Sequence, residues 1–166
     1  MYRSPTPPTS APRALSADEL LRAFGEPVAH LADPHPNWRV TYDCQRLDDY
    51  LTDIDVQYIH GTEHQVVVRT TRPAPRGDAP APDVLLAGFF RTYLANYSDT
   101  PQPEALAGIA PGPQAVLHLN DTETTTATLA APGHLAFAAR SAEHTILVAA
   151  ATRHVTAAQH LHFVTG

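Results

Sequence analysis

Residues 114–151 read QAVLHLNDTETTTATLAAPGHLAFAARSAEHTILVAAA, and this stretch decides the fold class. Four β-prone segments, Gln114 to Asn120, Glu123 to Ala131, His134 to Arg140 and His144 to Ala151, follow one another at short spacing. Pro132-Gly133 and Ser141-Ala142-Glu143 supply turn chemistry between them. No helical periodicity intervenes, which predicts an antiparallel meander rather than parallel crossovers. Ile146, Leu147 and Val148 form a continuous apolar run, placing that strand centrally with both faces covered.

Upstream, Asp83 caps the clearest helix of the chain, over residues 83–97. Its stripe of Leu85, Leu86, Phe89, Phe90, Tyr93, Leu94 and Tyr97 needs an apolar surface to lie on. Small residues such as Ala136, Ala138 and Ala149 suit close approach of that helix to the sheet. The expected fold is α+β: a single antiparallel sheet of about five to seven strands with helix 83–97 packed on one face.

Other segments extend this frame. Runs with strand character, Ile54 to His60 and His64 to Thr71, flank Gly61-Thr62-Glu63 and read as a hairpin. Trp38, Val40 and Tyr42 alternate with polar neighbours as a half-buried strand does. Leu47, Tyr50 and Leu51 stand at helical spacing, predicting a short helix or turn. Ser16 with Glu19 forms a capping box for a short helix that Gly25 ends. A helical piece at Val155 to Ala158 leads to a last strand, His160 to Val164. Residues 1–15 are expected to be a flexible Pro-rich tail, residues 16–166 one α+β domain, and residues 73–82, with four prolines in ten residues, a surface loop.

The 166 residues carry 11 cations, every one Arg, against 17 Asp and Glu, for a formal charge of −6. An acidic chain lacks the basic face that phosphate backbones require, so nucleic acid is not an expected partner. No apolar run approaches a membrane span, and the single Cys excludes a disulfide framework. A cytoplasmic, soluble protein without a cofactor is the expectation. Lysine-dependent chemistry is excluded outright.

The motifs that carry chemistry are incomplete. Glycine-rich phosphate loops and Gly-x-Ser-x-Gly elbows do not occur. Ten His residues are the most unusual polar feature. His160 and His162, two apart on a strand, would share a face and bind metal if His118 or His134 supplied a third ligand. His60 and His64 flank the hairpin turn and would face each other across its mouth. Cys44 lies beside Asp43, which opposes thiolate formation. Asp43, Asp48, Asp49, Asp53 and Asp55 make an acidic run without the turn glycine and closing Glu of a calcium loop. Arg69, Arg72 and Arg76 form a small basic cluster, and Arg76-Gly77-Asp78 sits in the Pro-rich loop.

Two functional classes follow. The leading one is a non-catalytic accessory module that binds another protein, or a second copy of itself, through Ala- and Thr-rich sheet faces and unpaired edges. The other is a small-molecule-binding protein or enzyme with a cone-shaped pocket between sheet and helix. Trp38, Tyr42, Tyr58, Tyr93, Tyr97, His118 and Arg140 would line that pocket, with a His such as His118 as general base. A filled concave face would place the function on edges and loops.

Overall fold

The computed structural model describes residues 10–11, 15–47, 50–72, 81–97, 106–141 and 143–163. Among them are ten strands: β1 (Ser10–Ala11), β2 (His30–Leu31), β3 (Arg39–Leu47), β4 (Tyr50–His60), β5 (Glu63–Thr71), β6 (Ala110–Leu119), β7 (Thr122–Ala131), β8 (His134–Ser141), β9 (His144–Ala151) and β10 (His160–His162). The main helices are α1 (Ala17–Phe24) and α2 (Pro82–Tyr97). A 3-10 turn at Thr152–His154 runs into the one-turn α3 (Val155–Ala158).

Pairing runs unbroken in the order β1-β3-β4-β5-β9-β8-β7-β6-β10-β2. The α+β class holds, as does the meander β6 to β9. The single antiparallel sheet of five to seven strands does not. The ladder is longer, β10 pairs with β6 in parallel, and it bends until strands near both ends share one core. Register breaks at Gln45/Arg46, Tyr58/Ile59 and Gly112/Ala115 insert bulges, and bulges bend strands. At the last of these Gly112 is required, because a Cβ there would run into the hydroxyl of Thr128, which donates to the Pro113 carbonyl at 2.6 Å.

The inner core gathers Val40, Tyr42, Ile54, Val56, Tyr58, Val66, Val68, Leu117, Phe137, Ile146 and Val148 from the strands, with Leu31 and Leu161 from the short β2 and β10. Leu20 and Phe24 of α1 fill its open side. The capping box forms as the sequence predicts, and Gly25 ends α1 in the left-handed region at φ 73°. Fully burying side chains of this size contributes about 1.5–3 kcal/mol each. Polar ties fix the curl. The Tyr58 hydroxyl accepts the N–H of Leu31 at 2.8 Å, joining β4 to β2 from opposite ends of the order, and Thr70 Oγ1 accepts the N–H of Ala29 at 2.8 Å.

Helix α2 lies on the other face. Leu86, Phe89, Phe90, Tyr93 and Leu94 pack against Val67, Ala136, Leu147 and Ala149. Every residue of β9 is buried, as its apolar run predicts. Pro82 occupies the first helical position, where its missing N–H costs nothing, so Asp83 stands in the first turn instead of capping.

Other expectations are corrected. Leu47, Tyr50 and Leu51 belong to strands β3 and β4, because β4 is long enough to pair along the whole of β3. Of the tail 1–15, Ser10 and Ala11 pair with Thr41 and Val40, and the N–H of Leu15 donates to the Tyr42 hydroxyl at 3.1 Å. Residues 1–9 and 12–14 and the loop positions 73–80, with Arg76-Gly77-Asp78, lie outside the described residues.

Two histidines are buried, His30 and His144. His30 donates from Nδ1 to the Leu31 carbonyl at 2.7 Å and leaves Nε2 without a partner; His144, 5% exposed, leaves both ring nitrogens so. Burial lowers the pKa of each. A base held below its unfolded value of 6.5 binds protons better when unfolded. Its contribution to stability is therefore intact above that value and is lost as pH falls towards the folded pKa.

Two outcomes are expected. Tyr58→Phe strands the buried N–H of Leu31 and should cost about 1–3 kcal/mol in denaturant unfolding; an unchanged midpoint would show that the closure carries no load. His144→Leu buries no orphaned nitrogen and should flatten the fall of Tm below pH 6.5, by about 2–4 °C per kcal/mol recovered. An acid limb identical to wild type would refute it.

Candidate functional site

The seven residues expected to line one pocket lie in separate places. Tyr42 and Tyr58 are buried in the inner core, with half-buried Trp38 at its border, 6.3 Å from Tyr58 and 4.8 Å from His154 between ring centroids. Burial pushes the Tyr58 phenol well above its ordinary range, so it remains a neutral hydroxyl. Tyr93 and Tyr97 lie on the far side of the sheet, on α2. Tyr93 bonds to His134 Nδ1 at 3.0 Å. Arg140 is exposed on β8, and His118 lies on β6 away from them all. The concave face is filled, by α1 and the short strands and not by α2, which covers the other face.

The histidines pair across strands instead of converging. His118 stacks on its register partner His160, ring centroids 4.4 Å apart and planes 6° from parallel. His162 meets His30 edge-on at 5.6 Å. Nitrogen lone pairs lie in the ring plane, so parallel stacked rings do not aim at one ion. Among the described residues no group of three or more His, Cys, Asp or Glu is placed to hold a metal. His60 and His64 do not face each other, since His60 pairs with Glu63 and Ile59 with His64.

Part of the acidic run does gather. Asp43, Asp53 and Asp55 line a cleft of about 130 Å³ between β3, β4 and the C-terminal half of α2, with Gln45, Arg69, Thr92, Asn96 and Tyr97. It is internally satisfied at its base: Arg69 holds Asp55 through two bonds of 2.8 and 3.0 Å. Burial raises the Asp55 pKa, and the guanidinium opposes that rise. Beside it, Gln57 accepts from Thr41 and His64 at 3.2 and 3.1 Å and donates to Tyr97 at 3.2 Å. Of the basic cluster, Arg72 pairs with Glu26 at 2.7 Å, apart from Arg69.

The most distinctive feature is an edge. β7 pairs with β6 from Thr122 to Ala130, yet with β8 only from Thr128 to Ala131. Over Thr122–Ala127 the two hairpins fork, and β7 has a backbone partner on one side alone among the described residues. The hydroxyl of Thr126 occupies the fork, donating towards the carbonyls of Ala127 and Ala138.

Hydrogen bonding fixes which groups point outward. His118 and Asn120 donate their N–H groups to Gln159 and Leu161, on the β10 side of β6. In an antiparallel pair the ladder bonds alternate. Leu117 and Leu119 therefore bond with Thr124 and Thr122, and the N–H and C=O of Glu123 and Thr125 face away from β6, into the open edge. Thr122 to Thr125 and Ala127 are exposed.

The outer edge of β3 differs. It is paired with β1 at Val40 and Thr41 and, beyond them, blunted by Asp43, Arg46 and the bulge at Gln45/Arg46, which are devices that discourage strand pairing. At β7 the only charge is Glu123, and threonine favours extended structure. Pairing alone does not make this edge visible in the sequence, but the run Glu123-Thr124-Thr125-Thr126 carries no apolar alternation. Of these four side chains only that of Thr126 is buried.

No protein-family model, curated protein or solved structure matches the chain.

Amide exchange should show the open edge directly. At protein concentrations low enough to leave the edge unoccupied, the N–H groups of Glu123 and Thr125 are expected to exchange fast while those of Thr124 and Thr126 are protected, an alternation that a closed β7–β8 pairing would erase.

Proposed function

We propose that this chain is a non-catalytic protein-binding module that accepts an extended polypeptide segment at the open edge of β7. The observation that carries the reading is the fork between β7 and β8, which leaves the outward N–H and C=O groups of Glu123 and Thr125 for a partner strand. Added strands gain affinity from such main-chain bonds and specificity from alternate side chains. The two faces of the central strands are covered, which concentrates unsatisfied binding capacity at edges.

The competing reading, a ligand pocket between sheet and helix with His118 as base, requires a hollow concave face and a His aimed into it. That face is filled, and His118 stacks against His160. A protein partner, with neither nucleic acid nor membrane involved, suits the acidic charge of −6 and the lack of any described helix long and apolar enough to cross a membrane. A cytoplasmic setting suits the free Cys44.

Thr125→Pro removes one outward N–H and leaves the bonds to β6 in place. Used as bait beside the wild-type protein, it should melt within a few degrees of it and fail to retain a polypeptide that the wild type retains from its native lysate. Identical retention by both baits would refute the edge as the binding surface.

A further inference from the structure

Resting on the strand-addition reading, we infer that the segment taken up by β7 is β7 of a second copy, paired antiparallel about a two-fold axis through Thr124. The open window, with the turn residue before it, is Asp121–Ala127, seven residues with Thr124 at the centre. A symmetric antiparallel pairing must place its axis on a residue, because each residue's backbone groups face the partner only when those of the residue opposite also do. With the axis on Thr124, Glu123 stands opposite the partner copy's Thr125, and both residues direct N–H and C=O outward. Two such pairs supply four main-chain hydrogen bonds.

The side chains agree with that register. Thr124 faces its own copy, Thr122 faces Thr126, and Asp121 faces Ala127, so no like charges lie directly opposite. Cross-strand Thr pairs are favourable, whereas opposed like charges are not. Glu123 has its own chain's His118 at 3.6 Å and faces Thr125, not its own copy, across the axis. An axis on Glu123 would set the two carboxylates against each other, and one on Thr125 would drive the second hairpin into β8 where it pairs with Thr128. At Thr124 each hairpin tip enters the fork of the other. The contact is small and joins two chains of charge −6, which places it among weak, reversible interfaces that strengthen with salt.

Cross-linking tests the axis. At a non-hydrogen-bonded antiparallel pair the Cα atoms are about 4.5 Å apart, within disulfide range, whereas diagonal neighbours lie beyond about 7 Å. In a Cys44→Ser background, Thr124→Cys should oxidise to a disulfide-linked dimer and Thr125→Cys should not. Sedimentation of the unmodified chain should show a monomer–dimer equilibrium over a wide concentration range. Thr124→Glu, at an exposed position, should keep the melting temperature and weaken the dimer at least about fivefold. A single monomeric species without cross-linking, or a dimer unaffected by Thr124→Glu and Thr125→Pro, overturns the inference. If that monomer still captures a polypeptide in a manner abolished by Thr125→Pro, only the identity of the occupant falls; if it captures none, the strand-addition reading falls with it.

Discussion

Burial of β5 and β9 on both faces is the constraint from which the rest of the molecule follows. Val66 to Val68 and Ile146 to Ala150 are enclosed between the inner core and α2, and neither strand can be moved without uncovering two apolar layers. Their pairing joins two hairpin systems, β3-β4-β5 and β9-β8-β7-β6, into one ladder. Ala136 and Ala149 let α2 approach on one side, while Leu20, Phe24 and Tyr58 complete the other. Once both surfaces are spent in this way, polar chemistry is displaced to the periphery.

The periphery is not uniform. At β3 and β4 the outward residues are tied to one another: Arg69 to Asp55, and Gln57 to Thr41, His64 and Tyr97. Such a network is satisfied internally and presents little unmet demand. Along the open part of β7 the exposed side chains are threonines, Ala127 and the single Glu123, and the main-chain groups of Glu123 and Thr125 have no partner among the described residues. The contrast is between a side-chain network satisfied within itself and a strand edge whose main-chain groups have no partner among the described residues.

Much of this was legible in the sequence where the signal is local. The capping box at Ser16 and Glu19, the hairpin around Gly61, the meander of β6 to β9 and the central place of Ile146 to Val148 follow from spacing within a few residues. The pairing of β9 with β5 and the parallel seating of β10 beside β6 join segments far apart in the chain, and no local pattern encodes them. Leu47, Tyr50 and Leu51 show how a helical spacing yields when a long partner strand is present. The candidate pocket failed for a related reason. Tyr58 and Tyr93 share a chemistry but lie on opposite faces of the sheet, where they cannot share a cavity.

The hydroxyl of Thr126, set between two carbonyls in the fork, has a kinetic meaning as well as a structural one. The register of β7 and β8, carried two residues further, would bring Thr126 beside Ala139 and zip the edge shut. β8 is therefore an intramolecular competitor for the same backbone groups, tethered at the fork and present at high effective concentration. The Thr126 side chain, bonded to the Ala138 carbonyl, stands where that zipper would have to advance. Under the proposed strand addition, a segment would hold the edge only by pairing better than β8 does.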